Sequence, residues 1–390
     1  MTGRTQQRGI ALVMSYLLIA LATAYGSAMM VQSVTEQRSV QRFLRFSAAF
    51  QAAEAGLDSA ITQFKTNPNW TGATYTTALK GGYEVTVTNL SPTIRKVEVS
   101  GYYPSNATDE HRHVEGTIWV EEPLFNNAAF AATTVQMDSN TRTDSYDSSL
   151  GAYNAGTAGS NGNVGSNATG ASTINLASNA KIKGDAAVGP GGNVNTAVTL
   201  AGNASISGST QTLVETKDLT PQSYPGGTAS TPLEYTSNQQ VTLSGGTYTY
   251  SYVHLDSNAK VEFTGNATIY VDQYFTLDSN ATFKTSATCP SCTLTIYVKG
   301  ESTSTPAVEI KSNASLTAGN DPTQLTFYVT GASTSSTSAG DVIFSSNNGI
   351  YGAIHAPLSD VTLNSNVVLY GAVVGYSLDL DSNVKVHYDK

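Results

Sequence analysis

LDSNAKVEF, at Leu255–Phe263, is one of nine related stretches between Met137 and Tyr388. The others are LASNAKIKG (Leu176–Gly184), LAGNASISG (Leu200–Gly208), LDSNATFK (Leu277–Lys284), IKSNASLTA (Ile310–Ala318), LNSNVVLYG (Leu363–Gly371) and LDSNVKVHY (Leu380–Tyr388), with weaker copies in MDSNTRTD from Met137 and FSSNNGIYG from Phe344. Each copy has an apolar residue, a variable one, Ser-Asn or Gly-Asn, a small residue and then alternating apolar positions. Successive asparagines lie 24 residues apart at Asn179 and Asn203, 22 at Asn258 and Asn280, 19 at Asn347 and Asn366 and 17 at Asn366 and Asn383, with longer gaps around Asn313. A period of roughly 20 residues suits one turn of a parallel β-helix; a propeller blade needs about 40. The repeat therefore predicts a right-handed parallel β-helix over 123–390, the hand following from the rule for parallel crossovers. Asparagine tolerates the left-handed conformation that a sharp bend needs. Stacked amides can also bond to one another, so Asn179, Asn203, Asn258, Asn280, Asn313, Asn347, Asn366 and Asn383 are read as a structural ladder.

Before the repeat, YEVTVTNL (Tyr83–Leu90), RKVEVSGYY (Arg95–Tyr103) and HVEGTIWVEE (His113–Glu122) alternate apolar and polar residues, with turns at Ser91-Pro92 and Pro104-Ser105-Asn106. They read as an antiparallel meander over 67–122. Within the repeat region, the Gly-rich run 151–170 and the stretch Pro221–Pro232 punctuate the pattern, the second as a surface excursion.

The meander follows one long helix. Ile10 to Ser33 carries no charged residue, and about 20 apolar residues span the ~30 Å hydrocarbon core of a bilayer. Arg4 and Arg8 precede this run, which places the remainder of the chain outside. Beyond it Phe43, Phe46, Phe50, Ala53, Leu57, Ala60, Ile61 and Phe64 recur at steps of three and four, a stripe expected to meet Val85, Val87, Val97 and Val99 until Asn67-Pro68-Asn69 stops the helix.

Two stretches of that helix, QRGIALV (Gln7–Val13) and AFQAAEAGLDSA (Ala49–Ala60), resemble the PilX-type minor pilins of the type IV pilus machinery. The resemblance implies a leader, residues 1–9, cut by a prepilin peptidase between Gly9 and Ile10, methylation of the new terminus, and partners among other pilin-like subunits through the helix. One position departs: the fifth mature residue, glutamate in most pilins, is Met14 here. DSYDSSLGAYN (Asp144–Asn154), YGAIHAPLSDVTLNSN (Tyr351–Asn366) and VHYD (Val386–Asp389) resemble a poorly characterised β-helical domain that often follows such helices and carries no assigned chemistry.

The net charge of −9, with no cluster of Lys and Arg after Arg45, excludes nucleic acid, whose phosphates call for one. Cys289 and Cys292 in CPSC are the only cysteines and, in an exported chain, are expected to form a short-loop disulfide. Zinc would need further ligands near them, and His111 and His113 are distant in sequence. Asp138, Asp256, Asp278 and Asp381 share one repeat position and could attract Ca²⁺, but other copies carry Ala, Gly, Lys, Ser or Asn there, so no metal and no cofactor is expected. Asp360, Asp379, Asp381 and Asp389, which have Lys385 and His387 near them in sequence, are read as solvated outer-face acids rather than a glycosidase pair. Tyr248, Tyr250 and Tyr252 form the densest part of a tyrosine-rich chain. The expected function is a non-enzymatic minor-pilin-like component held in the inner membrane before assembly and then at the pilus or cell surface, where its ligand is unspecified. A carbohydrate-active enzyme or binding module on a membrane anchor and a type II secretion pseudopilin are the alternatives.

Overall fold

The computed structural model describes residues 3–67, 70–78, 81–90, 93–105, 111–120, 124–302, 304–333 and 338–390, with the side chains of 3–11 and of Thr66 excepted. It divides into two compact units, Met1–Glu122 and Pro123–Lys390.

The first unit is built on α1, Gly3–Thr66. Its amino-terminal half is long and apolar enough to cross a membrane, and Leu12, Leu17, Ile19, Leu21 and Val31 all stand exposed. The carboxy-terminal half packs on a four-stranded antiparallel sheet in the order β1 (Gly72–Ala78), β2 (Gly81–Asn89), β3 (Ile94–Tyr102) and β4 (His111–Trp119). Val85 pairs with Val99, and Val99 with Val114, so alternate valines face the helix.

The expected stripe meets the sheet in its distal part, where Ala53, Ala60 and Phe64 are buried and Leu57 packs beside them, but its proximal phenylalanines do not. Ala49, Ala52, Ala53, Ala60 and Phe64 are buried, whereas Phe43 is 72% and Phe50 45% exposed. The reason is distance. A Cβ added to Gly101 would lie 2.1 Å from the Ala49 carbonyl oxygen, and one added to Gly56 would lie 2.5 Å from Val99 Cγ1. Small residues let the helix and sheet backbones approach around Ala49–Gly56, and there Phe43 and Phe50 stay outside, whereas Phe64, near the end of the helix, is buried. Phe46 instead lies under the Arg112 guanidinium, 3.8 Å from the ring centre, a cation–π contact. The helix ends at Thr66; Pro68 and Asn69, like the turns at Ser91-Pro92 and Asn106, lie outside the described residues.

The second unit is built of parallel strands, most of them short, with two long ones at Gly349–Leu363 and Val368–Leu380. The apolar residue three before each repeat asparagine pairs with its counterpart in the next repeat: Tyr235 with Leu255, Leu255 with Leu277, Leu277 with Ile310, Ile310 with Phe344, Phe344 with Leu363 and Leu363 with Leu380. From Leu380 the ladder passes to Met137, then Leu176, then Leu200. A second ladder runs through Tyr248, Ile269, Ile296, Phe327, Ile354, Val373, Ala129, Val164, Ala186 and Thr210. Both ladders leave chain order at the same place. The last repeat is thus sandwiched, with strand Lys385–Asp389 pairing Val368–Tyr370 on one side and Arg142–Tyr146 on the other.

Inward side chains alternate with outward ones, as the pleat requires. The fill is large where Phe263, Phe275, Phe283, Phe327 and Phe344 meet, and small where Ala128, Ala129, Ala180, Ala186 and Ala197 do.

Because the first repeats stack on the last, the chain must travel back to begin the remaining ones. Residues 213–232 form this strap. Leu213 N–H donates to the Val188 carbonyl at 2.8 Å. Lys217 exchanges backbone and amide bonds with Asn167, both 2.8 Å, and its ammonium bonds Asn126 Oδ1 and faces the Phe130 ring. Farther on, Asp272, 5% exposed, accepts from Tyr224 Oη at 2.8 Å and from the Ala229 amide at 2.6 Å. Ser251 N–H then meets the Thr231 carbonyl, and the strand Leu233–Tyr235 follows. The strap follows an outward column of paired residues, Tyr270, Tyr297, Tyr328 and His355, continued by Val374 and Phe130.

Candidate functional site

A buried polar group with several bonded partners lies at the out-of-order junction of the second unit. His387 is paired in register with Asp144, and its Nδ1 lies 2.6 Å from Asp144 Oδ1. The other carboxylate oxygen accepts from Tyr153 Oη at 2.9 Å and faces Arg142 Nε at 2.9 Å. Tyr153 reaches this point because Asp147 caps the short turn Ser148–Leu150 and Gly151, with φ 126°, reverses the chain. Its ring then stacks on His387 at 3.6 Å. Tyr351 stacks on Tyr370 at 4.2 Å, and Tyr146 stands edge-on to both Tyr153 and Tyr370. Asp389 accepts from the amide and hydroxyl of Ser148 at 2.7 and 2.6 Å.

Burial works to raise the Asp144 pKa, but the bonds from His387 and Tyr153 and the charge of Arg142 outweigh it, and the carboxyl is held below its ordinary range. Desolvation drives the Tyr146 and Tyr153 hydroxyls well above theirs. The side chains of His387 and Asp144 are 3% and 0% exposed. A sealed carboxylate with this many donors locks one strand against another.

Asp144, Tyr153, Tyr351, His387 and Asp389 come from the three segments that resemble the β-helical domain, and the fold brings them together. The reading of the late acids as solvated is corrected in part. His387 is buried, Asp389 is bonded to Ser148, and Asp360 Oδ1 accepts from Ser377 Oγ at 2.5 Å. Asp379 stays exposed, its pKa pushed up by desolvation and by the charges of Asp381 and Asp138.

The repeat asparagines sit at bends. Asn140, Asn179, Asn258, Asn280, Asn313, Asn347, Asn366 and Asn383 have φ between 62° and 67°, and so does Asn238, in a tenth copy, YTSNQQ, that the sequence pattern missed. Asn203 departs from them, because Gly202 takes the positive φ in its copy, at 55°. Among the described residues one amide-to-amide bond joins these positions, from Asn203 Nδ2 to Asn179 Oδ1 at 3.3 Å. Backbone conformation, rather than an amide ladder, is what these asparagines have in common. Cys289 and Cys292 are joined by a disulfide. His111 and His113 are exposed on β4, their rings 4.9 Å apart. Gly9 and Ile10 lie within α1, and their side chains fall outside the described residues.

Residues 203–390 match a family model described as a domain of unknown function (DUF7305). No curated protein matches the chain.

Proposed function

We propose that the chain is a non-enzymatic, minor-pilin-like component of a type IV pilus or related system, acting in pilus assembly or initiation or in surface adhesion. The observation that carries this reading is the division of labour along α1: an apolar first half whose side chains stand exposed from Leu12 onward, and a second half that buries a small-residue stripe on an antiparallel sheet. An isolated membrane anchor has no need of the second half. Prepilin peptidase would cut between Gly9 and Ile10, leaving the helix in the inner membrane until assembly through contacts with other subunits. The parallel stack is proposed to wind as a right-handed β-helix, a reading supported by ladders that advance one repeat at a time. That body is presented at the surface. Met14 lacks the carboxylate that a shaft subunit turns to its neighbour, so the reading favours the filament tip, where no preceding subunit must be matched. The sealed His387–Asp144 pair supports a structural body over a catalytic one.

Deleting the gene and counting surface pili by electron microscopy tests the proposal, with rescue by the full chain and by a truncation after Glu122. Fewer or non-adhesive pili, restored by the full chain, are expected. Unchanged number and adhesion would refute it.

A further inference from the structure

The second unit brings repeat-position aspartates side by side at two places, Asp256 beside Asp278 and Asp381 beside Asp138, as the pairings Leu255–Leu277 and Leu380–Met137 require. The outward residues flanking them differ. Beside Asp381 and Asp138 these are Asp379 and Gln136, and Gln136 Nε2 donates to Asp138 Oδ1 at 3.3 Å. Beside the other pair stands His254, whose Nε2 lies 3.6 Å from Asp256 Oδ1 and 3.6 Å from Asp278 Oδ2. The three ligand atoms all fall within 4.8 Å of one another.

The geometry points to a binding site for a divalent transition ion of the zinc class at His254, Asp256 and Asp278. Zinc bonds of about 2.0–2.2 Å to nitrogen and oxygen in a tetrahedron place neighbouring ligand atoms roughly 3.4 Å apart, so the two separations from His254 need to close by only a few tenths of an ångström, and the two carboxylates, within 4.8 Å of each other, by a side-chain rotation. The Lys311 ammonium lies 2.7 Å from Asp278 Oδ1. It therefore occupies the oxygen that the site does not use and turns Oδ2 toward His254, the part an outer-shell partner plays for a ligating carboxylate. Two carboxylates and one imidazole supply three ligands, and all three side chains are partly solvent-exposed, which leaves the fourth position to water. The imidazole is what separates this site from a calcium site, because Ca²⁺ takes oxygen ligands, six to eight of them. A sequence reading confined to the aspartate position groups Asp256 with Asp278 but overlooks His254, which lies two residues earlier.

The test is calorimetric titration of Zn²⁺ into the untagged, metal-stripped full chain in detergent. It is made in a His111→Gln/His113→Gln background, so that the exposed pair on β4 contributes nothing. One saturable equivalent is expected, with affinity reduced at least about 10-fold in His254→Gln and in Asp278→Asn. Asp381→Asn, at the site that lacks a histidine, should leave it unchanged, as should a large excess of Ca²⁺. Co²⁺ in place of Zn²⁺ should give the visible absorption of a tetrahedral centre that His254→Gln loses. Unfolding of each variant without metal establishes that all are equally folded. Absence of saturable binding, or equal affinity in folded His254→Gln, overturns the assignment. Ca²⁺ binding that is independent of His254 overturns it as well, in favour of a carboxylate-only site.

Discussion

The two units use strands in opposite ways. In the first, β1 to β4 follow one another in the chain and in the sheet, and short connections set their register. In the second, neighbouring strands come from different repeats, and at the junction a bond such as His387–Asp144 spans 243 residues of sequence. Local pairing needs only alternation and turns. Parallel stacking needs a device that repeats at every bend, a core filled rung by rung, and, here, a strap that restores continuity. The first unit should therefore be sensitive to the distance between helix and sheet, and the second to core volume, to bend conformation and to whatever disturbs the strap.

The largest effect is expected in the core of the stack. Phe283 is fully buried and touches the rings of Phe263 and Phe275 at 5.2 and 5.1 Å. Phe283→Ala should destabilise the second unit by about 3–5 kcal/mol in denaturant unfolding, with the first unit's transition unmoved.

A nearly equal loss should come from acid. His355 is 0% exposed, with Phe125 and Tyr328 beside it. Desolvation first, and then the charge of Lys217 on the strap, lowers its pKa from 6.5 to about 4. The unfolded chain binds the proton more readily, so the stability from keeping this imidazole neutral is complete above pH 6.5 and is lost as pH falls toward 4. The loss amounts to roughly 3 kcal/mol. His355→Leu should remove that slope, measured as the unfolding midpoint between pH 7 and 4, and cost little at pH 7 because neither ring nitrogen has a hydrogen-bond partner.

In the first unit, Gly101→Ala forces a Cβ against the Ala49 carbonyl and should cost about 1–3 kcal/mol. Phe50→Ala, on the exposed face of the same helix, should change little. Reversed sensitivities would restore the Phe-rich stripe as the packing face.

The smallest contrast tests the bends. Asn280→Ala puts a Cβ-bearing residue without a locally bonding side chain at φ 63° and should cost about 1–2 kcal/mol, while Asn280→Gly should be close to neutral. Asn203→Ala should stay within about 0.5 kcal/mol, since Gly202 already carries the positive φ.

Some of this was legible in the chain. The alternation of Tyr83–Leu90 and Arg95–Tyr103 marks strands, and the Ser-Asn motif marks bends, because both are local consequences of backbone geometry. The copy around Asn238 is hard to see because Tyr235 and Gln239 stand where most other copies place an aliphatic and a small residue. The distal helix stripe, Ala53, Leu57, Ala60 and Phe64, is legible from its period, while Ala49 and Ala52 are not, because alanine carries a weak hydrophobic signal although closeness of approach depends on it. The stacking order has no local signature at all. Parallel neighbours need not be adjacent in sequence, and every repeat offers the same rung to every other. For the same reason Asp144 and His387 could be quoted separately without being recognised as partners.

Order is the central claim, and cross-linking reads it directly. Gln136 and Asp379 are paired outward residues across the junction. Thr199 and Glu234 would be paired instead if the repeats stacked in chain order, because each sits one residue before its rung, at Leu200 and Tyr235. In the full chain, oxidation of Gln136→Cys/Asp379→Cys should form an intramolecular disulfide, since adjacent parallel rungs lie within the Cα separation of 4.4–6.8 Å that such a bond tolerates, and Thr199→Cys/Glu234→Cys should form none. Efficient closure of the second pair, with the first remaining reduced, would contradict the account.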